Sequence, residues 1–595
     1  MNSSQINIPL SLLSLLVIGA LLGVVQFGNA YLISFIFTIL IYYILAQSWD
    51  WIAGEMGYVN LGHYCFYGIG SYAFGIFLVA GQLSVTSMAF TVLITCGVAA
   101  IIAYPLYRLK GDYFAFATLA LLPLMEVLAY NMSFITNGAE GIVFPIQKVT
   151  SLTYVLALAL CFASFVLTLL INRSRFGYAL RAIRNDEEVS EVIGIKIFPY
   201  KVKVLVISAV FAGLAGALQG WQLSYIDPGS VFGLNVALVP IAMVLFGGSG
   251  MRWGPLVGVI LLACIQHWML VNLKMLQTTI YGLIILCIGR FMPGGLLRAS
   301  WIKNTRVLRF LSKEHHEYMI SQLEKNVVLS TATTVSLKDI LGIKTPNSQL
   351  PILECLHITK SFGGNMALDD VSFTVNQGEI IGLIGANGSG KTTLFNCISR
   401  VFQPSSGQIQ FLGQDLSDKT RDEIAQMGIG RTYQLPRPFG DLTVLENLAM
   451  PLMFGGKGMT PQQALITARA LSDFIKLTDK EMSRSDSLSL QEKKAIEFGR
   501  ALALRPSLLL VDEVASGLTP IEVNQFVEHI RTIRDQYGVT VIWVEHIFSA
   551  LTQVVDRLIV LDTGRLVADG PLAEVLKDEK VIASYLGNTK GDINA

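Results

Sequence analysis

Charge is scarce in the first half of this chain. Residues 1–300 hold 24 charged side chains, whereas the other 295 residues hold 63. Since about a quarter of the residues of a soluble domain are charged, the first half is not a water-soluble domain of ordinary surface composition. The net charge of the whole chain is only +1, which gives no indication of nucleic-acid binding.

Cysteines are also few, and none has the spacing of a metal site. The seven cysteines include no CxxC pair, which argues against a zinc ribbon or a small disulfide scaffold. The hydrophobic fraction of 52% excludes a disordered chain. What remains is a long chain with a membrane half and a soluble half.

The first half contains apolar runs of the length that crosses a bilayer, about 20 residues. The candidate spans lie near 7–27, 30–50, 63–82, 87–107, 114–131, 151–171, 203–223, 234–248, 255–273 and 276–292. The runs near 63 and 234 are short enough to be re-entrant or broken helices. We therefore expect an α-helical polytopic membrane domain with about ten spans and both termini inside.

One basic segment fixes the orientation of these spans. Residues 172–203 hold seven Lys and Arg side chains, so the positive-inside rule places this segment in the cytoplasm. It also mixes charge with apolar residues at helical spacing, which fits either an ordinary polar loop helix or a helix that docks on a soluble partner. If 174–196 docks, charge reversal at Arg181 or Arg184 is expected to uncouple ATP hydrolysis from transport without abolishing membrane insertion.

The second half changes to short β-branched runs that alternate with helical patterns, which indicates an α/β domain from Leu353. A strand-like run, Glu379–Ile384, leads directly into a glycine-rich loop and a helical pattern. This is the phosphate-binding GxxxxGK[ST] motif in its strand–loop–helix setting. The loop residues expected to hold phosphate are Gly385, Ala386, Asn387, Gly388, Ser389, Gly390, Lys391, Thr392 and Thr393.

A second nucleotide-binding element lies further along the chain. The apolar run Leu508–Val511 ends in two carboxylates, Asp512 and Glu513. Lys391 is suited to pair with the β- and γ-phosphates, while Thr392 and Asp512 are suited to hold Mg²⁺. Glu513 is suited to act as the base that orients the attacking water. The two elements together predict binding of ATP or GTP.

Residues 353–587 resemble the ATP-binding cassette (ABC) proteins, because further elements follow in that family's order. The resemblance implies that the cofactors are ATP and Mg²⁺. It also implies that Phe362 stacks on adenine, that Gln434 approaches Mg²⁺ and faces the membrane domain, and that His546 lies near the γ-phosphate. Ser489 lies at the family's signature position, which contacts the ATP of a partner cassette.

The sequence departs from the family pattern at that signature. The usual signature is LSGGQ, whereas this chain has Leu488-Ser-Leu-Gln-Glu492. The segment after Glu513 also lacks the aspartate usual in that loop. Because the glycines that would approach the partner's γ-phosphate are absent, we expect a heteromeric complex in which the site that uses this signature turns over slowly. The alternative is that Ser489 and its helix suffice and that the two sites are equal.

Both halves of the chain contain stretches that resemble the same transport system, the branched-chain amino acid importers. The ending Leu561-Asp-Thr-Gly-Arg565 resembles their ATPases, and Asn137-Gly-Ala-Glu-Gly and Phe246-Gly-Gly-Ser-Gly in the first half resemble their permeases. In those permeases the stretch that matches Ser174–Lys196 touches the ATPase. We therefore expect a permease domain over 1–298, a cytoplasmic connector over 299–350 and an ABC ATP-binding domain over 351–595.

The resemblance implies an ATP-driven importer subunit in a bacterial cytoplasmic (inner) membrane, with its ATPase domain in the cytoplasm. Its expected partners are the lipid bilayer, a second permease subunit, a second ABC ATPase subunit and an extracytoplasmic solute-binding protein, and no nucleic acid. A homodimer of two fused chains is an alternative. The expected solute is a branched-chain amino acid or a related small solute. Urea, amides and small aromatic acids are alternatives. Two further alternatives are an ABC exporter half-transporter and an ATPase that regulates without pumping.

Overall fold

The computed structural model describes residues 19, 21, 23–26, 28–145, 150–272, 277–292, 294–299, 336–342, 351–456, 458–578 and 581. The chain divides into two compact units. The first comprises residues 1–184 and 198–318, and the second comprises 185–197 and 319–595. Most of the predicted first span, 7–27, and most of the predicted connector, 299–350, lie outside the described residues, so those boundaries stay predictions.

Helices make up almost all of the described residues before 300. They are α1 Ala30–Asp50, α2 Tyr64–Val79, α3 Ser84–Leu106, α4 Asp112–Asn131, α5 Ser133–Thr136, α6 Thr150–Arg173, α7 Arg175–Asn185, α8 Glu187–Val192, α9 Ile197–Leu223, α10 Pro228–Phe232, α11 Leu234–Gly247, α12 Gly254–Asn272 and α13 Gln277–Phe291. Two short strands, β1 Ile142–Val143 and β2 Tyr225–Ile226, pair antiparallel.

Six stretches of the described chain are long and apolar enough to cross a membrane: Ala30–Glu55, Ser84–Leu106, Asp112–Asn131, Thr150–Arg173, Ile197–Leu223 and Pro228–Gly247. Tyr64–Val79 and Gly254–Met269 are apolar but shorter. The polytopic helical class is therefore confirmed, whereas the expected count of ten spans is not. The short stretch near 63 is a helix of 16 residues, which is less than a straight span needs.

Close backbone contacts hold this helical unit together. A Cβ atom added to Gly70 of α2 would lie 2.3 Å from the Cα atom of Gly213 in α9. Helices that approach so closely need glycine at the crossing, because any side chain would separate them. Glycine therefore has a packing role at this helix crossing.

The second unit is an α/β domain with two sheets. Its strands are β3 Leu353–Phe362, β4 Asn365–Val375, β5 Ile380–Ile384, β6 Ser406–Phe411, β7 Gln414–Asp415, β8 Ile429–Arg431, β9 Leu508–Asp512, β10 Thr540–Val544, β11 Arg557–Asp562 and β12 Arg565–Pro571. Its helices after residue 300 are α14 Leu337–Leu341, α15 Lys391–Ile398, α16 Arg421–Met427, α17 Val444–Phe454, α18 Pro461–Phe474, α19 Leu490–Ala503, α20 Pro520–Tyr537, α21 Phe548–Leu551 and α22 Leu572–Val575.

Strand order explains where the chemistry lies. The larger sheet has the order β12-β11-β5-β10-β9-β8, and β5, β9 and β10 run parallel at its centre. Val544 of β10 is level with Leu383 of β5 and with Asp512 of β9. Because the carboxyl ends of parallel strands share one edge, the loops that follow these three strands meet there. The smaller sheet, β4-β3-β6-β7, is antiparallel.

The second unit contains a segment from the first half of the sequence, residues 185–197, which we call the docking segment. Glu191 pairs with Arg421 at 3.0 Å, and Arg437 pairs with both Asp186 and Glu188 at 3.6 and 3.3 Å. The Gln426 amide donates to the Gly194 carbonyl at 3.1 Å. An acidic segment is thus held by arginines of the α/β domain.

Glycine is required at one point of the docking segment. Gly194 has a φ of +94°, and a Cβ atom there would lie 2.7 Å from the carbonyl oxygen of Phe454 at the end of α17. A larger residue would be strained and would push the segment away from α17. The turn at Gly194 is therefore also a packing contact.

The structure describes the predicted docking stretch, 174–196, in two parts. Residues 185–197 belong to the second unit and contact the α/β domain, whereas residues 174–184 belong to the first unit, so docking by 174–184 stays a prediction. There Arg181 lies 3.9 Å from the Glu55 carboxylate, and Arg184 donates to the Gly54 carbonyl at 2.6 Å. Basic charge at a helix end fits both a membrane anchor and a docking surface, so the sequence did not separate the two.

Candidate active site

The glycine-rich loop connects the buried strand β5 to helix α15. Gly388 and Gly390 have φ values of +84° and +103°, which L side chains rarely adopt. A Cβ atom on Gly390 would also lie 2.6 Å from the Ala367 carbonyl oxygen of β4. The loop therefore takes a backbone path that only glycine permits at these positions. Its amide groups lead into the N-terminus of α15, a favourable environment for phosphate.

Lys391 begins α15 and folds back over the loop. Its Nζ atom donates to the carbonyl oxygens of Gly385 and Ala386 at 2.7 and 3.0 Å. Burial lowers the pKa of Lys391, while the nearby carboxylates of Glu513 and Asp512 act in the opposite direction. The loop thus holds an ammonium group where phosphates would lie. Thr392, the next residue, is exposed.

Asp512 ends β9 and is buried, with 2% of its surface exposed. One carboxylate oxygen lies 3.6 Å from Arg431, and the other, Oδ1, has no hydrogen-bond partner among the described residues. Burial raises the pKa of this carboxyl, and Arg431 opposes the rise. A buried carboxylate oxygen without a partner is costly unless a ligand satisfies it.

Glu513 makes contacts through both carboxylate oxygens. Its Oε1 atom lies 2.9 Å from Nε2 of His546, and its Oε2 atom accepts from the Gln434 amide at 2.6 Å. Its backbone has a φ of +46°, and its N–H donates to the Val544 carbonyl at 2.9 Å. A glutamate with positive φ is strained, so the neighbouring strand holds it in place.

The structure thus brings five of the predicted residues into one cluster. Contacts or electrostatic interactions link Lys391, Asp512 and Glu513, and Glu513 in turn binds Gln434 and His546. They come from four separate parts of the chain, and they meet because β5, β9 and β10 are neighbours.

Phe362 lies at the end of β3, with 44% of its surface exposed. Its ring meets Phe402 edge-on at a centroid distance of 5.1 Å, and Lys360 Nζ lies 5.0 Å from its centroid. An exposed aromatic ring beside a cation can offer a face for stacking.

Ser489 is the N-cap of α19, and its polar groups are engaged locally. Its hydroxyl and its backbone N–H both donate to the Glu492 carboxylate, each at 2.9 Å, while the Glu492 N–H donates back to the hydroxyl at 3.3 Å. Lys480 also binds Glu492. The bond from Lys480 and that from the Ser489 backbone hold the pKa of Glu492 below its usual range. This is a capping box that leaves an ionised carboxylate at the helix N-terminus.

Two buried charged residues were missed as parts of the site by sequence reasoning. Arg431 lies at the end of β8 and donates from Nη1 to Asn396 and Ser399 of the α15 region, each at 2.7 Å. Glu545 follows β10 and accepts from the Ala515 N–H at 2.5 Å and the His546 N–H at 3.2 Å. Arg431 thus contacts Asp512 of the cluster, and Glu545 contacts the backbone of His546. A charge directly after a buried strand was the available signal, as it was for Asp512.

The fold and this cluster define a class: a membrane protein that carries an ATP-binding cassette. Residues 31–289 match the family model of the branched-chain amino acid transport system permease component, and residues 368–516 match that of the ABC transporter.

Known relatives agree with the match of the ATPase part. The chain is 31% identical over 250 residues to the high-affinity branched-chain amino acid transport ATP-binding protein BraF of Pseudomonas aeruginosa, covering 40% of this chain and 98% of that protein. It is 32% identical over 253 residues to the probable branched-chain amino acid transport ATP-binding protein LivG of Methanocaldococcus jannaschii, with the same coverage. A crystal structure of a nucleotide-free ATP-binding cassette from an ABC transporter has 31% identity and a TM-score of 0.36, covering 40% of this chain and 99% of that one.

The chain belongs to the ABC transporter family, and it joins a permease domain of the branched-chain amino acid type to a cassette ATPase. The ATPase part is of the kind found in branched-chain amino acid transport ATP-binding proteins.

Proposed function

We propose that this chain is the permease and ATPase subunit of an importer that moves branched-chain amino acids or related small solutes across a bacterial inner membrane. One observation carries the proposal: the two halves independently match components of the same transport system. Transport against a gradient needs an energy source, and a cassette on the same chain would supply it from ATP.

We propose that the clustered residues divide the work of hydrolysis. Lys391 and the loop amides bind the β- and γ-phosphates by charge-assisted hydrogen bonds. Glu513 accepts the proton of the attacking water, and His546 and Gln434 hold its carboxylate in position. Arg431 keeps Asp512 in place at the end of β9.

The residues present fit a bound Mg²⁺. Thr392, Gln434 and Asp512 offer oxygen donors of the kind Mg²⁺ prefers, and the Asp512 Oδ1 atom without a partner is available to it. The ion would neutralise charge on the transferred phosphoryl group. No group of three or more His, Cys, Asp or Glu side chains suited to a metal occurs in the described part of the chain. This agrees with an ion that takes part of its shell from the nucleotide.

We propose that the docking segment transmits ATP-driven movement to the permease. It has covalent continuity with α7 and α9 on both sides, and its acidic residues pair with Arg421 and Arg437 of the cassette. The altered signature supports a heteromeric complex, so the proposed partners are a second permease, a second ATPase with an intact signature, and an extracytoplasmic binding protein.

The test is solute uptake by cells that express the full chain with the neighbouring genes of its operon. Uptake of labelled leucine that requires ATP and an extracytoplasmic binding protein is the expected result. Export of a preloaded solute, with no uptake in any solute screened, would contradict the proposal. A Lys391→Ala chain at equal expression is the control for ATP dependence.

A further inference from the structure

A cavity of about 230 Å³ lies in the membrane unit between α1 and α12, and its lining is unusual for a membrane helix pair. Ser34, Thr38 and Tyr42 line it from α1, and Gln266 and His267 line it from α12. This cavity is smaller than the roughly 300–1,000 Å³ of pockets for drug-sized ligands, so it suits a small solute.

The three α1 residues form a stripe. They are spaced by four positions, so they lie on one face of a helix whose other residues are mostly apolar. Ser34 is exposed, and Thr38 and Tyr42 are half-buried. The Thr38 hydroxyl donates to the Ser34 carbonyl at 3.0 Å, so its donor is satisfied within α1. An ionisable residue at membrane depth, such as His267, indicates a functional surface.

Contacts across the cavity hold its two walls together. The Tyr31 hydroxyl bonds Nε2 of His267, and the Phe35 ring lies 4.6 Å from the His267 ring. Tyr42 bonds the side chain of Gln266. The polar groups are therefore positioned before any solute arrives.

The cavity lies towards the extracytoplasmic end of α1. The opposite end is cytoplasmic, because Gly54, just beyond Asp50, accepts a hydrogen bond from Arg184 in the basic segment 172–203. A helix rises about 1.5 Å per residue, so Thr38 lies about 18 Å along the axis from Asp50. A solute that enters from outside would meet this cavity early.

The lining also limits the charge of its ligand. Hydroxyl, amide and imidazole groups provide donors and acceptors, and the aromatic rings and Ile39 provide apolar surface. No Asp, Glu, Lys or Arg lines the cavity in the described part of the chain. His267 is the one group in this described lining that could carry a positive charge, and its Nε2 atom is engaged by the Tyr31 hydroxyl. A solute with net charge would therefore lack a dedicated counterion there, at a high cost in a low-dielectric environment.

We propose that this cavity is a solute subsite in the outer half of the transport pathway and that it takes small solutes of zero net charge with an apolar portion. A zwitterionic aliphatic amino acid and an aliphatic amide share this chemistry. The inference rests on the proposed importer function and narrows it, since it disfavours small aromatic acids, which are anions at neutral pH.

The test is thiol labelling of the full chain in membrane vesicles that carry the whole complex. Thr38→Cys and Ser34→Cys are compared with Leu32→Cys, which lies on another face of α1 about 3 Å along the axis from Ser34 and is 38% exposed. N-ethylmaleimide reacts with thiolates, which form in water but not in hydrocarbon. Labelling is counted above that of the unsubstituted chain, which has seven cysteines of its own.

The proposal predicts that Thr38→Cys and Ser34→Cys react at least tenfold faster than Leu32→Cys. It also predicts that leucine or butyramide slows the reaction severalfold and that benzoate does not. Protection by leucine alone identifies an amino-acid subsite, and protection by butyramide alone identifies an amide subsite.

Equal labelling at all three positions, protection by benzoate, or no protection by either neutral solute would overturn the proposal. So would the absence of labelling together with crosslinking of Thr38→Cys to a second permease, which would show packing between subunits. If unsubstituted vesicles take up leucine or butyramide under ATP but show no protection, only the subsite fails. If they take up no solute, the importer function fails instead.

Discussion

The cassette presents two surfaces for nucleotide chemistry, and they are built in opposite ways. At the carboxyl ends of β5, β9 and β10, polar groups remain available: the Asp512 Oδ1 atom has no hydrogen-bond partner among the described residues, and Lys391 bonds loop carbonyls near the Asp512 and Glu513 carboxylates. At the N-terminus of α19, the polar groups of Ser489 bond Glu492 and are already satisfied.

This difference indicates which half of a composite site the chain can complete. A helix N-terminus favours an anion through its dipole, but here the Glu492 carboxylate already occupies that position. A partner's γ-phosphate would meet a like charge, and Leu490 and Gln491 replace the two glycines that would allow close approach. We therefore expect the chain to hydrolyse the ATP bound to its own loop well and to support its partner's site poorly.

The largest expected effect is that of Glu513→Gln on the intact surface. Without a proton acceptor, hydrolysis at this site should fall by about 10²- to 10⁴-fold while ATP binding is retained. The measurement is phosphate release in a complex whose other catalytic glutamate is disabled, together with nucleotide binding. Glu528→Gln, an exposed residue on α20, is the matched control and should turn over normally. Normal turnover in Glu513→Gln would show that Glu513 is not the proton acceptor.

The second prediction tests the comparison directly. Loss of Glu513 should reduce transport more than loss of the partner's catalytic glutamate, because the partner's site depends on this chain's altered signature. Removal of one hydrogen-bond donor to a developing negative charge typically lowers kcat about 10²- to 10³-fold. The losses of transport caused by disabling the two glutamates should therefore differ clearly.

A repaired signature sharpens the same test. The triple change Leu490→Gly, Gln491→Gly and Glu492→Gln should accelerate hydrolysis at the partner's site and leave this chain's own site unchanged. Equal losses from the two glutamates, or a homodimeric complex, would contradict the asymmetry.

The third prediction concerns binding rather than chemistry. Lys391→Ala removes a charged phosphate contact worth about 1.5–3 kcal/mol, so the Kd for ATP should rise about 10- to 100-fold. Equilibrium binding of a fluorescent ATP analogue measures this, with Lys419→Ala as the control. An unchanged Kd would show that Lys391 does not touch the phosphates.

The fourth prediction concerns the docking segment, which belongs to neither of the two nucleotide surfaces. Glu191→Arg should separate ATP hydrolysis from transport, because it places a positive charge 3.0 Å from Arg421. The double variant Glu191→Arg with Arg421→Glu should restore much of the coupling. The measurement is the amount of solute transported per ATP hydrolysed. If the double variant does not restore coupling, the Glu191–Arg421 ion pair is not what couples hydrolysis to transport.

The smallest effect is expected at the capping box. Glu492→Gln should destabilise the cassette by about 0.5–1 kcal/mol near neutral pH, because the charge at the helix N-terminus is lost. The folded-state pKa of Glu492 is depressed, so its contribution is present above the unfolded pKa and is lost as pH falls through the folded one. The difference in Tm between variant and wild type should therefore shrink on acidification. A difference that is constant with pH would contradict this.

The parts of the site that are short and contiguous could be predicted from sequence. The loop 385–393 and the pair Asp512 and Glu513 follow buried strands, and a strand followed by phosphate-binding or carboxylate residues is a local pattern. Arg431 and Glu545 were missed as site residues because their importance depends on which strands become neighbours, which no local window records.

The membrane half was harder to predict. Apolar length alone suggested ten spans, but six stretches of the described chain are long enough, since hydropathy does not separate a short packed helix from a full crossing. The expectation for Arg181 and Arg184 stays a prediction for a related reason. Their partners Glu55 and Gly54 lie far away in sequence, and positive charge near a helix end has the same appearance in either role.

The docking segment also has a consequence for biogenesis. Residues 185–197 are synthesised before any strand of the cassette, so we expect the cassette to complete its fold around a piece that the membrane half already carries. A nascent chain whose first spans were inserted with the wrong polarity would leave that piece outside the cell. Arg421 and Arg437 would then lack their acidic partners, which makes assembly of the ATPase dependent on correct insertion of the permease.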